Sequence, residues 1–89
     1  MGLRLDVWLW RARFFKTRTI AARKIKQGRI RLQRHGQILR IRKPHTCVHP
    51  KDTLVFMNGD HLLHIEICAL GTRRGSASEA QTLYLTTKD

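Results

Sequence analysis

Residues 4–31 read RLDVWLWRARFFKTRTIAARKIKQGRIR, and two helices followed by the start of a strand can be traced along them. Leu5, Trp8, Leu9, Ala12 and Phe15 recur at helical spacing, which predicts a helix over 4–14 with one apolar stripe. Phe15-Lys16 then turns the chain, and Thr17 is positioned to cap a second helix over 18–27. Ile20, Ala21 and Ile25 form its expected buried side, and Gly28 is its C-terminal stop. Arg18, Arg23, Lys24 and Lys26 are left for its outer surface. From Arg29 to Leu32 the pattern alternates strictly, so Ile30 and Leu32 face inward while Arg29 and Arg31 face outward.

Charge is concentrated around this stretch. The 89 residues carry 18 Lys and Arg against 6 Asp and Glu, a net of +12. Residues 1–44 hold 14 of the basic residues and one acid, Asp6, for a net of +13. Residues 45–89 hold 4 basic residues and 5 acids, for a net of −1. Such asymmetry points to a polyanionic partner, with nucleic acid ahead of anionic lipid. A face kept charged only for solubility would intersperse acids, because unrelieved repulsion destabilises a fold.

The chain is short enough for one domain with a limited core, and a hydrophobic content of 42% is enough to build it. No run approaches the roughly 18 apolar residues that span a bilayer. The first apolar segment is broken by Arg11 and Arg13, unlike a secretory signal. An Arg-rich, acid-poor start is also the mark of a mitochondrial transit peptide, but Asp6 and the continuous helix and strand patterning favour folded structure. Cys47 and Cys68 do not make a disulfide framework, and the expected compartment is a reducing cytosol.

Further along, His35-Gly36 marks a turn, and Gln37 to Arg42 returns as a second strand with Ile41 inward. Lys43-Pro44 ends it, and 45–52 is a connection anchored by Val48. Leu54 to Met57 and His61 to Leu70 read as strands joined across Asn58-Gly59, with Leu63, Ile65, Ile67 and Ala69 on one face. After the Arg73-Arg74 loop, Ser76-Ala77-Ser78-Glu79 fits a capping box opening a short helix to about Tyr84. The expected fold is α+β: two N-terminal helices on a small, mostly antiparallel sheet, and a short C-terminal helix. There is no internal repeat or linker, so 1–89 reads as a single domain.

Catalytic patterns are missing. There is no glycine-rich phosphate loop, nucleophile elbow or suggestive carboxylate pair, and the chain is expected not to be an enzyme. His45, Cys47 and His49 alternate, with Cys68 further on, but zinc ligands normally recur as a second close pair. The simpler expectation is a loop with one buried cysteine and two solvated histidines, and neither metal nor cofactor. Trp8 lies on the apolar stripe and reads as core. Trp10 lies off it, where packing against a neighbouring element is favoured over stacking on a base.

The same residues resemble a known family. Arg4-Leu5-Asp6, Leu9, Lys16-Thr17-Arg18, Ala21, Ile25, Gly28 and Arg29-Ile30-Arg31 are similar to the signature of the S-four RNA-binding domain, or alpha-L RNA-binding motif. The Trp8-Leu9-Trp10 and Arg13 to Arg18 runs are more specific. With Arg73-Arg74, Ala77 to Ala80 and Leu83-Tyr84, they resemble the ribosome-associated heat-shock protein fifteen branch. The likeness runs from residue 4 to about 86, with the core motif over about 4–57 and a hairpin and short helix completing it over 58–86. His35-Gly36 stands where Asn-Gly is usual, in a longer hairpin, and Lys24 occupies a position usually apolar. The basic helical tail of longer members is expected to be missing.

The resemblance implies binding to ribosomal RNA on the large ribosomal subunit, on free subunits still carrying peptidyl-tRNA, in rescue or quality control linked to heat shock. Arg4, Lys16, Thr17 and Arg18 would form the centre of the RNA surface. Arg13, Lys26, Arg29 and Arg31 would flank it, with Arg23, Arg73 and Arg74 completing it. No membrane or small-molecule substrate is expected. The alternatives are an RNA-targeting module working with a separate RNA-modifying enzyme, and a peripheral membrane protein built on a basic amphipathic helix.

Overall fold

Leu5, Trp8 and Leu9 are fully buried, and so are Ala21 and Ile25, as the two helical patterns require. The computed structural model describes residues 2–87; Met1 and residues 88–89, the ends of the expected domain, lie outside it. Its elements are β1 (Leu3–Arg4), α1 (Leu5–Arg11), α2 (Arg18–Lys26), β2 (Ile30–Arg34), β3 (Gln37–Ile41), β4 (Cys47–Val48), β5 (Thr53–Asn58), β6 (His61–Ile67), α3 (Ala77–Gln81) and β7 (Tyr84–Thr86). A five-stranded antiparallel sheet runs in the order β3-β2-β5-β6-β7, and β1 pairs with β4 separately.

Both helices close in the same way. The N–H of Phe14 donates to Leu9 and that of Arg13 to Trp10, while Arg29 donates to Lys24 and Gly28 to Ile25. This pattern needs a left-handed residue just past the helix, supplied by Arg13 at φ 64° and Gly28 at φ 72°. The helix expected over 4–14 therefore stops at Arg11, because Arg13 leaves the helical region. Thr17 caps α2 as anticipated, its hydroxyl accepting from the Ile20 N–H at 3.0 Å. Lys24, expected on the outer surface, is half-buried.

Across the sheet, Ile30 lies opposite Ile41, and Leu32 sits between Leu39 and Leu54. Ile30, Leu32, Leu54, Ile65 and Ile67 join the helical side chains in one core. The β2–β3 turn has His35 at φ 52° and Gly36 at φ 76°, the pair of positive angles that a type I′ hairpin needs. Asn58 pairs with His61, so Gly59-Asp60 rather than Asn58-Gly59 are the central turn residues of the next hairpin.

Three expectations change. The connection 45–52 contains β4, whose pairing with β1 sets the Arg4–Cys47 register and leaves Val48 fully buried. β6 ends at Ile67, and Ala69 is exposed instead of continuing the inward face. The C-terminal helix stops at Gln81, and Tyr84 begins β7, paired with Ile67. Its capping box is half made: Ser76 Oγ accepts from the Glu79 N–H at 3.3 Å, but the Glu79 carboxylate turns to Arg73.

Candidate nucleic-acid interface

The predicted basic residues separate into two groups. Lys16, Arg18, Arg23, Lys26 and Arg31 are exposed, and none makes an ion pair or side-chain hydrogen bond among the described residues. Arg29 is also exposed, and its guanidinium Nε donates to the side-chain oxygen of Gln27 at 3.0 Å. Thr17 and Arg18 open α2, whose first turn holds no acid. The amides and macrodipole of that turn favour an anion. A shallow groove between the two helices is lined by Asp6, Arg18, Thr19 and Ala22.

The second group is engaged within the fold. Arg4 forks onto Asp6, with Nε and Nη2 at 3.1 and 2.9 Å from its two oxygens. Asp6, the acid of residues 1–44, is buried and also accepts from the Val7 N–H. Arg4 keeps Nη1 free of protein partners among the described residues. Arg13 donates to the Gly75 carbonyl at 2.7 Å. Arg74 donates to the Trp10 carbonyl and lies 5.9 Å over the Trp10 ring, so Trp10 packs against a neighbouring element. Arg73 pairs with Glu79 in an exposed fork. With Arg11 on the Gly71 carbonyl and the Trp8 indole on that of Ala69, the Arg13 and Arg74 contacts bind the 69–75 loop to α1 and the turn after it, while Arg73 ties it to α3.

A family model, the S4 domain, matches residues 3–38. The heat shock protein 15 homolog of Haemophilus influenzae is 38% identical over 86 residues, covering 97% of this chain and 62% of that protein. Heat shock protein 15 of Escherichia coli is 38% identical over 82 residues, covering 92% of this chain and 58% of that protein. The chain thus spans about three fifths of the length of these curated relatives. A trimeric structure of Vibrio cholerae heat shock protein 15 superposes with a TM-score of 0.84 at 34% identity, covering 98% of this chain and 83% of that one. The chain belongs to the heat shock protein 15 family.

Within this heat shock protein 15 fold, β3 and the residues just after it bring further cations to the basic surface that the sequence pattern did not single out. Arg40 lies directly opposite Arg31 in the β2–β3 register. Arg42 lays its guanidinium where a Cβ on Gly28 would sit, 2.9 Å away, just past the end of α2. Cations suit a helix C-terminus. The return strand is itself basic, and the turn at His35-Gly36 was the available signal that it would fold back beside β2.

The edge of this surface is held by a charge cluster around the buried Asp52. Arg34 at the end of β2 forks onto Asp52, with Nε–Oδ1 at 2.9 Å and Nη2–Oδ2 at 2.7 Å. The His49 N–H donates to the same carboxylate at 2.8 Å. Burial alone pushes the Asp52 carboxyl up, but the Arg34 and His49 hydrogen bonds and their charges outweigh it and hold the carboxyl below its ordinary range. The Asp52 hydrogen bond in turn raises Arg34. Cys47, expected to be buried, is exposed with Cys68, and both are free thiols. Among the described residues no three His, Cys, Asp or Glu side chains are grouped to hold a metal, and no helix is long and apolar enough to cross a membrane.

Proposed function

We propose that this chain is an RNA-binding protein without catalytic activity, acting in the cytosol as one domain. Its target is ribosomal RNA on the large ribosomal subunit, in particular free subunits still carrying peptidyl-tRNA, during rescue or quality control under heat stress. The observation that carries the RNA reading is the group Lys16, Arg18, Arg23, Lys26 and Arg31, exposed and free of acid partners among the described residues. Membership of the heat shock protein 15 family supports the ribosomal part.

The recognition is phosphate capture with shape reading. Folded RNA buries its base edges in a deep, narrow major groove, so side chains meet phosphates and 2′-hydroxyls. Guanidinium forks suit phosphate oxygens, and the first turn of α2 adds oriented amides. Arg4, Lys16, Thr17 and Arg18 are the proposed centre, with Arg23, Lys26, Arg29 and Arg31 beside them. Arg73 and Arg74 contribute from the 69–75 loop, and Arg13 from the turn after α1 that helps hold that loop in place.

With about five phosphates engaged, log affinity for a structured RNA falls against log salt with a slope of roughly −3.5 to −4.5. Arg18→Glu weakens binding at every salt concentration, and unchanged affinity removes the surface assignment. In sedimented cell extract the protein travels with free large subunits, and stripping their peptidyl-tRNA releases it. Comigration with neither subunits nor ribosomes overturns the ribosomal target.

A further inference from the structure

Beside the proposed phosphate-binding surface lies an aromatic pocket that phosphate capture does not use. It is framed by the turn between the helices, the end of α2 and the tip of the β5–β6 hairpin, with Phe14, Phe15, Phe56, Lys24, Arg29 and Asn58 among its lining residues. The Phe56 ring is buried and lies 5.3 Å from that of Phe14 and 6.1 Å from that of Phe15, centroid to centroid. Phe14 and Phe15 are only half-buried. The cavity measures about 340 Å³, at the lower end of the roughly 300–1,000 Å³ of ligand pockets. That suits a single ring system better than a length of polymer.

Its chemistry is uneven in a specific way. No acid lines it. Lys24, another lining residue, is half-buried and makes no ion pair among the described residues, so it brings a cation without a counter-charge to the pocket. Arg29 adds a second cation to the same lining, and Asn58 offers one amide donor–acceptor pair. Aromatic faces, two cations and an amide together complement a base with its phosphate. An apolar peptide would leave both cations unmatched. Phe15 also directly precedes Lys16-Thr17-Arg18, so a nucleotide held here is continuous with RNA held there.

We propose that this pocket takes one unstacked nucleotide of the bound RNA, its base against the Phe14–Phe15 rings and its phosphate toward Lys24 and Arg29. The proposal rests on the RNA-binding reading above. A base inside a duplex cannot enter, so the pocket makes the protein prefer RNA with a bulged or looped-out nucleotide.

The test uses the full chain and two RNA hairpins identical except for one bulged nucleotide, compared by fluorescence anisotropy at fixed salt. Stacking of about 1–3 kcal/mol per base corresponds to roughly fivefold to 150-fold tighter binding of the bulged hairpin. Phe15→Leu abolishes that preference and leaves affinity for the paired hairpin unchanged, and Lys24→Gln reduces the preference. Should Phe15→Leu fail to fold, the wild-type NMR spectrum serves instead, with Phe14 and Phe15 ring protons shifting on the bulged hairpin only. Equal affinity for both hairpins, or a preference that survives both substitutions, overturns the pocket while RNA binding stands. Binding to neither hairpin overturns the RNA reading and the pocket with it.

Discussion

At the scale of single residues, Asp52 gives the sharpest expectation. Its carboxyl titrates below the ordinary range when folded, because Arg34 and His49 outweigh the effect of burial. A group depressed in this way stabilises the fold at every pH above its unfolded value, near 4, and that stability is lost as pH falls from there through the folded value. Asp52→Asn keeps the shape but removes the charge, and should cost about 1.5–3 kcal/mol at pH 7. The gap between wild type and variant should narrow progressively as pH falls below about 4. Urea denaturation at pH 7 and pH 3 measures both, and a gap that stays constant removes this role for Asp52. None of this was legible from sequence, since Arg34 and Asp52 are 18 residues apart and meet only through the fold. The same holds for Arg13 and Arg74. Their charge was visible, but the carbonyls they serve, on Gly75 and Trp10, were not.

Elements were legible wherever a period or a cap had room to show. Nine residues of α2 with Thr17 before them and Gly28 after them were readable, as were the alternation of β2 and the inward Ile41. A two-residue strand has no period, so the β1–β4 pair left no trace. Tyr84 was misread because a capping box announces where a helix starts and says little about where it stops. The extended Tyr84-Leu85-Thr86 run instead found an open edge beside β6. Register then exposes a cost that the sequence hides. Arg31 and Arg40 face each other directly across β2 and β3, where like charges repel. Arg40→Gln should stabilise the protein by about 0.2–1 kcal/mol in chemical denaturation while weakening its hold on structured RNA. Loss of stability, or unchanged RNA affinity, argues against Arg40 being part of the anion-binding surface.

For the whole molecule, the charge asymmetry sets stability against binding. The described residues span 31 × 30 × 25 Å, while residues 1–44 carry a net +13. At about 0.01 M salt the screening length is near 30 Å, so the cations repel one another across the entire body. At about 0.15 M it is near 8 Å, and only near neighbours still interact. Added sodium chloride should therefore raise the melting temperature over this range. A gain of 1 kcal/mol corresponds to about 4–8 °C for a domain of this size. Over the same range, affinity for structured RNA should fall by roughly 10⁴–10⁵-fold if about five phosphates are engaged. The two responses share one cause, since salt replaces with mobile chloride what the RNA backbone supplies as fixed charge. Chloride is the informative anion, because sulfate or phosphate would occupy the cation surface directly. Melting curves and anisotropy titrations in parallel chloride series test the link. A melting temperature that falls or stays flat while affinity drops would show that the exposed cations are not under mutual strain, and that their surface is stable without an anion.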